Sequence, residues 1–169
     1  MSDERQAPSK NQRPPVVVAE LDDIDRTLIR VLRQNARTPN SRLAELAGIA
    51  PSTCVARVKS LVSRGVISGF TATIDPATVG LGLEALISVG IRAGARNLMM
   101  ELSDEIRGLP GVVQLYFLGG AEDFIIHVAV RDSAAVRDFV LDHLSAHPAV
   151  ASTRTSLVFD HHYSGPTLD

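Results

Sequence analysis

Cysteine, tryptophan and long apolar runs are what this 169-residue chain has least of. It contains one cysteine and no tryptophan. Because Cys54 has no second cysteine to pair with, a disulfide-stapled scaffold is excluded, as is a structural zinc site built on several thiolates. The apolar run Val16–Ala19 is far shorter than a signal-peptide core or a membrane span. We therefore expect a cytoplasmic protein with no membrane association.

Catalytic motifs are also missing. The glycine pairs Gly80–Gly82 and Gly119–Gly120 are too short to form phosphate loops. His143 and His147 have the i, i+4 spacing of a metal-binding pair, but no motif fixes an acidic residue near them, so a structural role is favoured. Cys54 lies on the apolar side of a predicted helix, which favours a core role over a nucleophile. We predict no catalysis, no metal and no cofactor.

The net charge of −2 hides a strong asymmetry between the two halves. Residues 1–75 carry 11 basic and 8 acidic side chains, whereas residues 81–169 carry 6 basic and 11 acidic ones. The segment from Arg26 to Arg64 contains eight basic residues and one acidic residue, Glu45, so its net charge is +7. A cationic module followed by an acidic one is expected when only the first module contacts a polyanion. A solvated face that carries its arginines by chance is the alternative.

Composition and periodicity divide the chain into five segments. We expect a disordered tail at 1–19, a helix-turn-helix DNA-binding domain at 20–65 and a hinge strand or linker at 66–81. A βαββαβ domain follows at 82–160, and a short tail at 161–169. The predicted fold class is α+β, with a winged-type helix-turn-helix joined by the hinge strand to a ferredoxin-like domain.

Three helices are predicted in the first domain. The first runs over 22–35 with Asp22 as its N-cap, and the second over 39–48 with Thr38 as its cap and a glycine stop. The third runs over 51–64. Two helices joined by a short glycine turn, with the last one cationic on its exposed side, are typical of a helix-turn-helix. A three-helix unit that never contacts DNA is the structural alternative.

The exposed side of the third helix has the residue types that a recognition helix needs. Short side chains allow close approach to the major groove, and Arg57 offers a planar fork of donors to base edges or phosphates. Lys59 and Arg64 suit phosphates. The predicted DNA-binding residues are Arg37, Ser52, Thr53, Ala56, Arg57, Lys59, Ser60 and Arg64. The predicted partner is double-stranded DNA.

The second half alternates between strand and helix patterns in the order βαββαβ. The predicted strands are 83–91, 112–118, 124–130 and 150–159, and helical stripes fall between the first two and the last two. The stripe before the last strand includes His143. This order is that of the ferredoxin-like split βαβ unit, in which helices cover one face of the sheet.

The other sheet face also carries apolar residues. Alternation along the strands predicts Val113 on the core face. It places four apolar residues on the opposite face: Tyr116, Leu118, Ile125 and Ala129. A sheet that is apolar on both faces needs cover, so we expect a homodimer formed through the open face. The same strand order occurs in RNA-recognition modules, although this half is acidic and lacks their basic aromatic signature. The alternative function is a ferredoxin-like small-ligand or RNA-binding module with only nonspecific DNA affinity.

Short motifs occur in order between residues 21 and 159. They are Leu21–Asp25, Asn35–Arg37, Leu43–Ala47, Arg57–Val58 with Leu61, Gly65–Phe70, Ile74–Pro76, Gly120–Asp123 and Thr153–Thr155. Together they resemble the signatures of the Lrp/AsnC transcriptional regulators. The resemblance covers both predicted domains and leaves out both tails.

The resemblance implies a sequence-specific regulator, nucleoid-associated in the cytoplasm, that responds to an amino-acid ligand and controls genes of amino-acid metabolism. It implies dimers that assemble into octamers, with the effector near the Gly-x-x-Asp loop. Carried onto this chain, the effector-binding residues are Gly119, Gly120, Glu122, Asp123, Thr153 and Thr155. Loop amides can hold a carboxylate, and a carboxylate can pair with an ammonium. Asp123 is the strongest candidate, and capping of the turn or the strand is its structural alternative.

Two positions depart from the family pattern. Ala50 stands where a serine commonly caps the recognition helix, so that helix either lacks a side-chain cap or begins at Ser52. Ala121 occupies a loop position that is often larger in relatives, which leaves the identity of the amino acid open.

Overall fold

The computed structural model describes residues 19–162, which fall into two compact units. The first extends to Ala72 and the second begins at Thr73, so the division lies inside the predicted linker 66–81. The predicted tails, 1–19 and 161–169, lie almost entirely outside the described residues. Each unit has its own apolar core and is described separately.

Three helices form the first unit: α1 (Asp23–Gln34), α2 (Asn40–Ala47) and α3 (Pro51–Ser63). Apolar side chains at helical spacing meet in one core, as the periodicity predicts. Its buried members are Leu28, Leu32, Leu43, Ala44, Cys54 and Leu61. Cys54 is thus a core residue, and burial raises the pKa of its thiol.

The helix starts match the sequence predictions only in part. Asp22 is the N-cap of α1 and accepts a hydrogen bond from the backbone N–H of Asp25 at 2.8 Å. The predicted cap of α2 is wrong: the Thr38 hydroxyl donates to the carbonyl of Asn35 at 2.7 Å, and Pro39 takes the N-cap position. Since proline has no side-chain acceptor, α2 starts without a side-chain cap.

The turn between α2 and α3 is closed by a left-handed glycine. Gly48 has φ 65° and ends α2, as predicted. Ala50 is the N-cap of α3 and makes no side-chain capping bond, and Pro51 is the first helical residue. The sequence left two possibilities for α3, a start without a side-chain cap or a start at Ser52. The structure has the start without a side-chain cap.

The predicted hinge strand is not formed. Among the described residues of the first unit there is no strand, so neither a hinge strand nor the wing of a winged-type domain is present there. The following residues form a short 3₁₀ turn, Pro76–Val79, capped by the Asp75 carboxylate, which accepts from the Ala77 N–H at 3.0 Å. A strand needs a neighbouring strand to satisfy its backbone groups, and none of the described strands pairs with this segment.

The second unit has the predicted βαββαβ order. Its elements are β1 (Leu83–Ile91), α4 (Met99–Arg107), β2 (Val112–Phe117), β3 (Phe124–Val130), α5 (Ser133–Val140) and β4 (Val150–Val158). The strands form one antiparallel sheet in the order β2-β3-β1-β4. Alternate residues of β1 and β3 pack with α4 and α5, so both helices cover one face. The ferredoxin-like prediction is confirmed.

Two local irregularities shift residues from their predicted faces. A bulge in β2 places Val112 opposite Val128 and Gln114 opposite His127, which leaves Val113 55% exposed instead of in the core. A π-helical turn, Leu141–Ser145, continues α5, and His143 within this turn is exposed rather than buried in the stripe. The wider turn changes the helical phase that the sequence pattern assumes.

The sheet face away from the helices carries both apolar and charged groups. Tyr116 is 43% exposed and Leu118 is 41% exposed. On the same face Glu84 of β1 contacts His127 of β3, with Oε2 and Nε2 2.6 Å apart. No segment among residues 73–162 covers Tyr116 or Leu118, which agrees with the sequence-based view of a face in need of a partner.

Candidate DNA-binding helix and effector loop

Helix α3 has one buried side and one exposed side. Cys54 and Leu61 point into the core of the first unit. The short polar and cationic positions on the other side are all exposed: Ser52, Thr53, Ala56, Lys59 and Ser60. This gives the helix a surface of small side chains with one lysine, which suits close approach to a DNA groove.

Arg57 has a different environment from the open fork of donors that the sequence predicts. Its Nη1 donates to Asp22 Oδ2 at 2.7 Å and to Asp25 Oδ1 at 2.9 Å, and the Asp25 side chain is only 8% exposed. The hydrogen bonds to the two carboxylates raise the pKa of Arg57. The backbone N–H of Asp25 and the Arg57 guanidinium lower the pKa of Asp22.

Arg64, the C-cap residue of α3, is held in the same region. Its Nη2 donates to the carbonyl of Glu20 at 2.7 Å, and its Nη1 lies 3.8 Å from Asp25 Oδ2. Two of the eight basic residues in the Arg26–Arg64 window are therefore paired with carboxylates that lie just before that window. The positive charge available to a polyanion is therefore smaller than the count of +7 in that window indicates.

The remaining predicted DNA residue, Arg37, lies on the turn between α1 and α2 rather than on α3. Its backbone N–H donates to Asn35 Oδ1 at 3.0 Å, and its side chain is exposed. Sequence reasoning missed a neighbouring contact. The Asn40 side-chain amide donates to the carbonyl of Pro51 at 3.0 Å and so ties the start of α2 to the start of α3.

Asp123 joins the loop before β3 to the end of β1. Its carboxylate accepts from the Ile91 N–H at 2.7 Å, and its own N–H donates to the Val89 carbonyl at 3.0 Å. Its carbonyl accepts from the Leu118 N–H at 2.8 Å, which closes the 118–123 loop. Asp123 therefore has the structural role predicted as its alternative, which is to cap the turn or the strand.

The other predicted effector residues surround the same strand end. Thr153 of β4 is paired with Val89 of β1, so it is next to the strand end that Asp123 binds. Glu122 Oε1 accepts from Arg154 Nη1 at 3.0 Å, a contact that sequence reasoning missed because it named only the two flanking threonines. The structure therefore pairs Glu122 with Arg154 and places Thr153 beside the end of β1 that Asp123 binds. Thr153 and Arg154 are neighbours in β4, so their side chains point to opposite faces of the sheet. Thr155 lies two residues further along β4 and is exposed, as are Gly119 and Gly120.

Comparison with known sequences matches both units to one family. The AsnC-type helix-turn-helix domain matches residues 21–62, and the Lrp/AsnC ligand-binding domain matches residues 84–168. The chain belongs to the Lrp/AsnC family. Its N-terminal unit is the helix-turn-helix domain of that family, and its C-terminal unit is the ligand-binding domain.

Similar proteins include two regulators called AldR. The chain is 52% identical to AldR of Mycolicibacterium smegmatis over 142 residues, which cover 84% of this chain and 83% of the relative. It is 49% identical to AldR of Mycobacterium tuberculosis over 157 residues, 93% of this chain and 86% of the relative. A crystal structure of M. tuberculosis AldR matches with a TM-score of 0.76 and 44% identity, over 88% of this chain and 98% of that one.

A solved regulator of Neisseria meningitidis, in complex with L-methionine, is also similar. It matches with a TM-score of 0.79 and 33% identity, over 87% of this chain and 97% of that one. These findings show that this Lrp/AsnC protein is a DNA-binding transcriptional regulator with a ligand-binding domain.

The described residues form neither a metal-binding cluster nor a membrane-spanning helix. Between residues 19 and 162 no group of three or more His, Cys, Asp or Glu side chains could hold a metal ion. No helix in that part of the chain has both the length and the apolar content needed to cross a bilayer.

Proposed function

We propose that this regulator binds DNA through α3 and that an amino acid, bound at the 118–123 loop, changes its DNA binding. The observation that supports the effector site is that Asp123 binds the end of β1 while the neighbouring Glu122 pairs with Arg154 of β4. Glu122 and Arg154 form an exposed acid–base pair, which matches the ammonium and carboxylate of an amino acid. The L-methionine complex of the N. meningitidis relative supports an amino-acid ligand.

The DNA-contacting surface in this proposal is the exposed side of α3. Ser52, Thr53, Ala56 and Ser60 allow close approach and offer hydroxyl groups to the groove, while Lys59 pairs with a phosphate. Arg37, on the α1–α2 turn, reaches the flanking backbone. The regulated genes belong to amino-acid metabolism.

Assembly links the two sites in the proposed mechanism. Two copies pack through their open sheet faces, where Tyr116 and Leu118 are exposed, and dimers associate further into an octamer. Ligand binding favours one assembly over another, and assembly sets the spacing of the recognition helices. That spacing decides affinity because half-sites lie about one DNA turn apart, or a multiple of it.

A selection of binding sites from random duplex DNA tests the functional proposal. The full chain is used near physiological salt, with and without a mixture of amino acids. We expect a pseudo-palindromic sequence in both conditions and a change in yield or sequence with amino acids. Enrichment without any effect of amino acids would contradict the effector proposal, and no enrichment would contradict sequence-specific binding.

Sedimentation velocity tests the sheet-face dimer. Ile125 lies on the open face of β3, and Ile125→Glu places a charge there, so we expect smaller assemblies than in the wild type. Leu141→Glu, at an exposed position after α5, is the control and is expected to leave the dimer intact. A wild-type chain that sediments as a monomer at micromolar concentration would refute the dimer.

A further inference from the structure

Four charged side chains connect the start of α1 to α3. Asp22 and Asp25 come from the first turn of α1, and Arg57 and Arg64 lie seven residues apart on one side of α3. The Arg57 contacts span 35 and 32 residues of sequence, so they fix the packing of one helix against another rather than a local turn. The contact at Asp25 is largely shielded from water, since that side chain is 8% exposed.

The same four side chains are poorly suited to bind DNA directly. Their two carboxylates and two guanidinium groups sum to zero charge, so the cluster attracts no polyanion from a distance. A phosphate that approached Arg57 would also approach Asp22 and Asp25, whose carboxylates lie 2.7 and 2.9 Å from Nη1. Its attraction to the guanidinium would be offset by repulsion from the two acids.

We propose that Arg57 and Arg64 are positioning residues, which hold the recognition helix against the acidic start of α1 and do not contact DNA themselves. A recognition helix reads base edges only when its axis and register are fixed to within a fraction of an ångström. The ion pairs supply that constraint at the middle of α3, through Arg57, and at its C-terminal end, through Arg64. The inference rests on the proposed use of α3 for DNA binding.

Asp22→Asn gives a test in which charge and position have opposite effects. The substitution removes a negative charge from a DNA-binding domain, so charge alone strengthens binding to a duplex. Asparagine still caps α1, because its side-chain oxygen accepts the same backbone N–H. The positioning account predicts weaker binding, by about five-fold, the upper range for an exposed ion pair. Asp23→Asn, one residue along and exposed, is the matched control and should bind at least as well as the wild type.

The salt dependence of binding separates positioning from contact. A lost phosphate contact lowers the slope of log K against log salt by about 0.9. Lys59→Ala is expected to show this loss. Arg57→Gln is expected to weaken binding with the wild-type slope, and adding Asp22→Asn to Arg57→Gln should cost little more, since both remove the same constraint. Circular dichroism at the assay temperature establishes that each variant is folded.

The outcomes distinguish this inference from the functional proposal. If Asp22→Asn tightens binding, or if Arg57→Gln lowers the salt slope like Lys59→Ala, Arg57 contacts DNA and the inference is overturned. If Lys59→Ala changes neither affinity nor slope, α3 is not the DNA-binding surface and the functional proposal itself fails. The expected pattern is weakened binding in Asp22→Asn and Arg57→Gln with an unchanged slope, beside a reduced slope in Lys59→Ala.

Discussion

At the scale of single residues, Asp22 uses its two carboxylate oxygens for different purposes. Oδ1 caps α1 and Oδ2 accepts from Arg57 of α3. The cap could be predicted from sequence because the two residues involved are three apart. The ion pair could not, since its partner lies 35 residues away and no local pattern marks it. The same reason explains the missed Glu122–Arg154 pair, whose members are 32 residues apart.

The lowered pKa of Asp22 makes the stability of the first unit depend on pH. A carboxyl group whose pKa is lower when folded stabilises the fold at pH values above its ordinary pKa of about 4, and that contribution is lost as the pH falls through the folded value. We therefore expect the gap in unfolding free energy between wild type and Asp22→Asn to be widest near neutrality. Urea unfolding from about pH 6 to about pH 3 measures it. A gap that stays constant over that range would contradict the assignment.

Asp123 has a structural role that complicates its use as an effector probe. Asp123→Ala leaves the Ile91 N–H without its acceptor, at a cost of about 1–3 kcal/mol, whereas Asp123→Asn keeps an acceptor oxygen. We expect the alanine variant to unfold at lower urea concentration than the asparagine variant. Asp104→Ala, at a 67% exposed side chain, should stay near the wild type. Equal stability of the alanine and asparagine variants would show that the bond to Ile91 contributes nothing.

At the scale of helices and strands, the sequence predicts most boundaries because periodicity is local. Strands β1 and β3 begin and end where their alternating pattern does, and α3 ends one residue early. The β2 bulge and the π-helical turn after α5 could not be predicted, because they arise from pairing and packing with other elements. The prediction of a hinge strand was wrong for a related reason. The composition of this segment favours a strand, but a strand forms only where it can pair with a neighbouring strand.

Helix α3 can be stabilised at its N-cap. Ala50 has φ −67° and ψ 147°, an extended conformation that suits a capping side chain. Ala50→Ser therefore should raise the unfolding free energy by about 1 kcal/mol, because the serine hydroxyl can accept an orphan backbone N–H. Ala56→Ser, in the middle of the same helix, is the control and should be slightly destabilising. Urea unfolding of the two variants checks the prediction, which fails if Ala50→Ser is no more stable than wild type.

At the scale of the whole molecule, the difference in net charge between the two halves of the sequence predicts the boundary between its two domains. The cationic half is the helix-turn-helix domain and the acidic half is the ligand-binding domain. The count of basic residues overstated the DNA-binding charge, because Asp22 and Asp25 neutralise Arg57 and Arg64 from outside the counted window. The effector loop is predicted by its resemblance to a family motif. Composition and spacing alone give no sign that residues 122 and 154 meet.

The most direct test of the account is a DNA-binding titration of the wild type and Glu122→Gln, with and without amino acids. Fluorescence anisotropy on a selected duplex at fixed salt provides the isotherms, and Glu101→Gln, at an exposed position in α4, is the control. We predict that at least one amino acid shifts the isotherm of the wild type and of Glu101→Gln. Glu122→Gln should bind the duplex like the unliganded wild type and show no shift. Isotherms that no amino acid changes, or an equal shift in Glu122→Gln, would contradict an effector site at the 118–123 loop.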